Sequence, residues 1–236
     1  MSDAMPVVIW WIKRDIRLRD NNALLAAIDD ARERGASLLP LYIWDDALVT
    51  APDTSTHHLQ AIDSALHHLN TELTFRGAAL LTLTGHLPDR LSALSSLLGG
   101  AITILSMWAH EETSLHAGYH RDEAVRSWAE RAAIPFREVP RNGVVRRLGS
   151  RDRRITIVRR RLHATPQPAP DAIPMAPELR RRVARLPWIA GNGIPAADPT
   201  TSLVRVAPPD DRLFTEHPGA HWREIGGRTL QRVDEA

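Results

Sequence analysis

Short apolar runs alternate with helical periodicity from residue 6 to residue 138. PVVIWWI (6–12), ASLLPLYIW (36–44), AALLTL (78–83), AITILSMW (101–108) and IPFREV (134–139) are each too short for a buried helix and are bounded by polar or turn residues. That pattern predicts strands. Between them, Asp20 or Asn21 can cap a helix that turns Leu24, Leu25 and Ile28 inward and closes at Gly35. After PDTST, Leu59, Ile62, Leu66, Leu69 and Leu73 recur at intervals of three and four, one apolar stripe on a long helix. A shorter helix is expected over about 87–98, ending at Gly99-Gly100, and another over about 117–132 with Ala124, Val125, Trp128 and Ala132 on one side.

The order βαβαβαβαβ, with strands apolar on both faces, implies an α/β fold built on a parallel sheet covered by helices. Right-handed crossovers make it a five-stranded, doubly wound, Rossmann-like sheet. This domain is assigned to residues 1–140. Beyond it the pattern breaks: eleven of the 17 prolines fall between 166 and 218. Residues 141–236 read as a basic, proline-rich linker, with ELRRRVARL (178–186) as a short helix and a new helix starting in GGRTLQRVDEA. The prolines are expected to run extended and to wrap partly over the domain.

In a sheet of this kind, ligands bind beyond the C-terminal strand ends where strand order reverses, between the first and fourth strands. The first strand ends in WWIKRD and the fourth in SMWAHEET, so Lys13, Arg14, Asp15, His110 and Glu111 converge on one crevice. Trp11, Trp44 and Trp108 stand near three strand ends, as walls for a flat ligand or as ordinary core aromatics. No GxGxxG or Walker loop follows the first strand, and bulky residues at 13–19 bar the close backbone approach that a pyrophosphate needs. His110, Glu111 and Glu112 offer acid–base groups, but the glutamates serve a helix N-terminus equally well. Asp63, His67, His68 and Glu72 have a metal-like i,i+4 spacing on the polar face of the long helix, where solvated pairs are the commoner outcome. No nucleophile is marked, and no catalytic residue is assigned.

Composition narrows this further. The chain of 236 residues is 43% apolar and has no run of about 20 apolar residues, so no membrane span is expected. Its N-terminus lacks a secretory pattern, and it has no cysteine, which excludes disulfides and thiol catalysis and points to the cytoplasm. The net charge is +2, carried by 29 arginines and the single Lys13 against 28 acidic residues. Residues 137–161 hold ten arginines against Glu138 and Asp152. That stripe suits nucleic acid, an anionic cofactor or an acidic protein surface, and the absence of interleaved aromatics weakens single-strand stacking.

Taken together, these segments resemble the N-terminal half of the photolyase/cryptochrome family, in a bacterial branch. VVIWWIKRDIRLRDNNAL is similar to the family's opening strand–loop–helix, with Arg14, Asp15, Arg17, Asp20 and Asn21 in its Arg-Asp-x-Arg-x-x-Asp-Asn pattern. LPLYIWDD resembles the second strand, PDTSTHHLQAIDSALHHLNTEL the long helix, and WAHEETSLHAGYHRDEAVRSWAERAAIPFREVPRNGVVRRLGSRD the later signatures. The likeness spans about residues 6–170.

The resemblance implies an antenna domain holding a light-harvesting chromophore of deazaflavin, lumazine or folate type. Ala117-Gly118 stand where the folate-binding branch carries an Asn-Glu clamp, which speaks against folate. The family's activity is that of a deoxyribodipyrimidine photo-lyase, performing light-driven DNA repair, or of a blue-light sensor. Its FAD and its DNA groove belong to a separate helical domain, which this chain is expected to lack. FAD and DNA would then be partners only through that missing domain or a separate FAD domain, and the chain alone would not repair DNA. Alternatives are a stand-alone nucleotide- or flavin-binding Rossmann-like module and a ligand-free truncated remnant.

Overall fold

A computed structural model describes residues 4–49, 54–100, 102–113, 116–141, 144–145, 150, 152–189, 221–225 and 229–233. Five parallel strands form the sheet: β1 (Met5–Ile12), β2 (Ser37–Trp44), β3 (Leu81–Thr84), β4 (Ile102–His110) and β5 (Phe136–Val139). Their order is β3-β2-β1-β4-β5, so strand order reverses between β1 and β4, as expected. β1 pairs with β2 from Val7↔Ser37 to Ile12↔Tyr42. With β4 it pairs from Met5↔Ile102 to Trp10↔Trp108, shifting register between Val7 and Val8. All eight residues of β2 are buried, which explains its unbroken apolar run.

Helices cover both faces. On one side α1 (Asn22–Glu33) lies against β1, β2 and β4. Asn21, rather than Asp20, caps it by accepting from the Leu24 N–H. Asp20 instead takes φ +52°, a left-handed turn that aspartate tolerates, and its N–H donates to Gln167 O. α2 (Asp46–Val49) follows β2, and α3 (Thr56–Phe75) buries Leu59, Leu66, Leu69 and Leu73. The helix expected over 87–98 is two, α4 (Leu87–Ser92) and α5 (Leu94–Leu97), broken at Ala93. Ser92 turns its hydroxyl back to Pro88 O and accepts the Trp128 indole N–H of α6 (His116–Arg131). That bond ties the break to a neighbouring helix.

Beyond β5 lies α7 (Asp152–Leu162), a helix the sequence did not mark; its Arg161 guanidinium donates to the carbonyls of Arg141 and Val144, each at 3.1 Å. Residues 167–189 then strap the domain. Ile173 N–H donates to Arg76 O, Leu38 N–H to Pro174 O, and Ala176 N–H to Ser37 Oγ. α8 (Pro177–Arg185) buries Leu179 and Val183, which join Ile173 and Met175 in the core. The indole of Trp44 donates to Ile189 O at 2.9 Å.

The chain divides by contact into Met1–Leu203 and Val204–Ala236. In the second unit, β6 (His221–Ile225) and β7 (Thr229–Val233) pair antiparallel from His221↔Val233 to Ile225↔Thr229. The helix expected in GGRTLQRVDEA is therefore a strand, because the partner that stabilises it lies immediately upstream. No described helix is long and apolar enough to cross a membrane.

Candidate functional site

Because β1 and β4 separate at their C-terminal ends, the loops after them face each other. Asp15, two residues past the loop's Lys13, meets His110 at the end of β4: Nδ1 to Oδ2 is 3.1 Å. Arg141, beyond β5, reaches the same carboxylate with Nε at 3.1 Å and its terminal nitrogen at 3.3 Å. Arg17 stands 3.7 Å away. Burial alone would raise the Asp15 pKa, but the His110 hydrogen bond and the charges of His110, Arg141 and Arg17 outweigh it and hold the carboxyl below its usual value.

Asn21 fixes the loop that presents Asp15. It is buried, accepts from Leu24 N–H, and donates to the carbonyls of Asp15 and Arg17 at 3.2 and 2.9 Å. The resulting crevice has a volume of about 460 Å³, lined by Asp15, Arg17, His110, Thr113, Arg141 and Val144, with Asp20 and Asn22 at its α1 side. Of the five residues expected to converge there, Asp15 and His110 line the crevice, while Lys13 and Arg14 turn to Asp122 and Glu112 and Glu111 is outside the described lining.

The aromatics occupy different places. Trp11 is 2% exposed, with the Lys13 ammonium 4.7 Å and the Arg121 guanidinium 5.1 Å from its ring centre. Trp44 is buried edge-on to Tyr42 at 5.0 Å. Trp108 pairs with Trp10 in the ladder and so points to the α1 side, opposite Trp11. There its indole N–H donates to Asp30 at 2.9 Å, and Arg137 stacks on its ring at 5.1 Å. None of the three tryptophans lines the crevice.

Around Trp11 runs a buried ion network. Lys13 pairs with Asp122 and stands 3.8 Å from Glu138, which pairs with Arg126. Arg121 donates to Glu112 at 2.9 Å and approaches Asp122 at 3.4 Å, while Arg14 lies 3.6 Å from Glu112. Burial lowers the Lys13 pKa and raises that of Asp122, and the attraction between the two groups opposes both shifts. Gly118 makes this possible, since a Cβ there would lie 2.9 Å from the Glu112 carboxylate. Glu111 is half-buried, with its backbone N–H bonded to Val139 O.

The sequence therefore placed Asp15 and His110 in the crevice and set Lys13, Arg14 and Trp11 beside it, but it missed Arg141, Thr113 and the α6 partners Arg121 and Asp122. Arg141 sits in the basic stripe, whose excess of arginine was the available signal. Asp63 and His67 pair at 3.8 Å on the outer face of α3, and no metal-ligating cluster occurs among the described residues.

The family model for DNA photolyase matches residues 8–153. A deoxyribodipyrimidine photo-lyase of Salmonella typhimurium is 40% identical over 77 residues, covering 33% of this chain and 16% of the relative. That of Alkalihalophilus pseudofirmus is 30% identical over 135 residues, covering 57% and 26%. The chain thus spans about a quarter or less of the curated relatives it matches. Among solved structures, a Synechocystis cryptochrome aligns with a TM-score of 0.59 at 16% identity, over 75% of this chain and 38% of its own. An archaeal photolyase from Sulfolobus tokodaii, described with two FAD molecules, aligns at 0.55 and 18% identity, over 72% and 38%. A class III photolyase from Agrobacterium tumefaciens aligns at 0.56 and 21% identity, over 75% and 36%. A match across most of the five-stranded sheet, joined to the Arg14–Asn21 motif at its switch point, means that the chain belongs to the DNA photolyase family and carries its N-terminal α/β domain.

Proposed function

We propose that this domain binds a light-harvesting chromophore at the crevice between the ends of β1 and β4. The observation that carries the reading is the Asp15–His110–Arg141 cluster, which brings three separate loops to the switch point of the sheet. The volume of about 460 Å³ is within the usual range for small-molecule sites. Arg17 and Arg141 suit an anionic tail, and Thr113 and His110 suit polar ring substituents. Val144 is the one apolar side chain among the described lining residues, so a ring system is held over Val144 and the Arg141 guanidinium plane rather than between tryptophans. Trp11, Lys13, Arg14, Trp44, Trp108 and Glu111 stand outside the described lining of the crevice.

A deazaflavin, lumazine or flavin fits better than a folate, because Glu112 leaves no room for a side chain at 118. The Sulfolobus photolyase, reported with the implication of a novel light-harvesting cofactor, supports the flavin end of that range. Once bound, such a chromophore would supply absorption of blue or near-ultraviolet light. Within this reading the residues described serve light capture, and the lesion chemistry of the family lies elsewhere. Cytoplasmic residence follows from the same reading.

Absorption spectra of the purified, unheated protein test it, together with melting temperatures in the presence of FAD, FMN, deazaflavin, lumazine and folate. A blue or near-ultraviolet band, or a stabilising shift lost in Arg141→Gln, is the expected result. A colourless protein that none of the five stabilises sinks the reading. Photorepair of a thymine-dimer substrate by this chain alone overturns the assignment of its residues to light capture only.

A further inference from the structure

A second cavity, of about 520 Å³, opens at the edge strand β3, between α3, α8 and the strap. It shares no lining residue with the crevice. Val183, Leu186 and the ring of Trp188 give it apolar walls, and no aspartate or glutamate side chain lines it among the described residues.

Its polar side chains offer donors, beside the Thr74 hydroxyl, which donates to Asn70 O and leaves only an acceptor. Asn70 Oδ1 accepts the Leu80 N–H at 3.0 Å, which fixes the amide and leaves Nδ2 without an acceptor among the described residues. Thr82 Oγ1 accepts from Ile189 N–H, so its own hydrogen is available. Trp188 Nε1 is shut off from solvent and has no hydrogen-bond partner among the described residues. Its ring is held by stacking on His67, with centres 4.4 Å apart. Arg180 is exposed and has no carboxylate partner among the described residues, since the nearby Glu178 is taken by Arg181 and Arg182. The free Asn70 amide hydrogens suit an acceptor, and a single guanidinium at an apolar cavity matches a single anionic group.

From this donor-rich lining, free of carboxylates among the described residues, we infer that the cavity binds a small organic monoanion, an apolar ring or chain ending in one carboxylate. The site is separate from the chromophore crevice and does not depend on it.

The test is a titration of the full-length, ¹⁵N-labelled protein with 2-naphthoate, following indole N–H resonances by NMR. Trp188 is identified by its loss in Trp188→Phe. The expected result is a saturable displacement of the Trp188 resonance, with the Trp108 resonance, bonded to Asp30, unmoved. The neutral 2-naphthamide should bind about tenfold more weakly or worse, and Arg180→Gln should weaken naphthoate by a similar factor. Asn70→Asp, which puts a carboxylate into the lining, should abolish binding. No saturation at millimolar naphthoate overturns the inference, as does equal binding of the amide. The amide comparison uses the unaltered protein, so it decides the matter even if a variant folds poorly.

Discussion

His110 Nδ1 stands 3.1 Å from Asp15 Oδ2, joining the end of β4 to the loop after β1. With Arg141 and Arg17 it holds the Asp15 carboxyl below its usual pKa. A group depressed on folding contributes stability that is complete above its unfolded pKa, about 3.9. The contribution is lost as pH falls through the lower folded value. Asp15→Asn should therefore destabilise the protein at neutral pH and flatten its acid-side loss between about pH 5 and about pH 2. Urea denaturation across that range checks it; parallel curves for the two proteins would show that the cluster adds nothing.

Lys13 and Asp122 are both nearly excluded from solvent, at 4% and 3% of their side-chain areas. Removing Lys13 takes from buried Asp122 its nearest counter-charge and leaves the Arg121 guanidinium at 3.4 Å, so Lys13→Met should cost about 3 kcal/mol. Adding Asp122→Leu should recover a large part of that, because an apolar pair of similar volume needs no desolvation. A double variant less stable than Lys13→Met contradicts this account of the network.

Asn21 both caps α1 and donates to two carbonyls of the Asp15 loop. Asn21→Asp keeps the acceptor for Leu24 N–H and loses both donations, while Asn21→Ala loses all three bonds. The expected order of stability is Asn, Asp, Ala, with the alanine variant down by about 2 kcal/mol or more. Thermal melts of the two variants suffice to rank them.

Leu179 of α8 is fully buried although it lies in the proline-rich half of the sequence. Leu179→Ala should cost about 2–5 kcal/mol, the range for a core leucine. A loss below about 0.5 kcal/mol, typical of a surface site, would mean that α8 does not belong to the core.

Gly118 sits in the first turns of α6 against the Glu112 carboxylate. Alanine normally improves a helix interior by about 1 kcal/mol. Here the close contact should reverse the sign, because the Glu112–Arg121 pair must open. An increase in melting temperature for Gly118→Ala would refute that.

The five strands, the strand order and the crevice were legible because each rests on local pattern. Apolar runs such as VVIWWI and SLLPLYIW predict strands, and chirality does the rest. The cap was legible only as a choice of two, since periodicity cannot tell which residue turns left-handed; φ +52° at Asp20 decided for Asn21. α7 was hidden by the β-branched stretch ITIV, which locally favours strand; Arg161, in its last turn, bonds back to Arg141 and Val144. For GGRTLQRV, pairing with β6 decides for strand.

The sequence by itself determined the α/β class, the place where strand order reverses and the family motif at that place, because these follow from spacing within some twenty residues. Only the tertiary structure decided which charges meet. Lys13 and Asp122 are 109 positions apart, Asp15 and Arg141 126, and Ser37 and Ala176 139. Nothing local specifies such pairs. They are chosen when the sheet closes and burial leaves each charge or N–H only the few partners that the fold brings within reach.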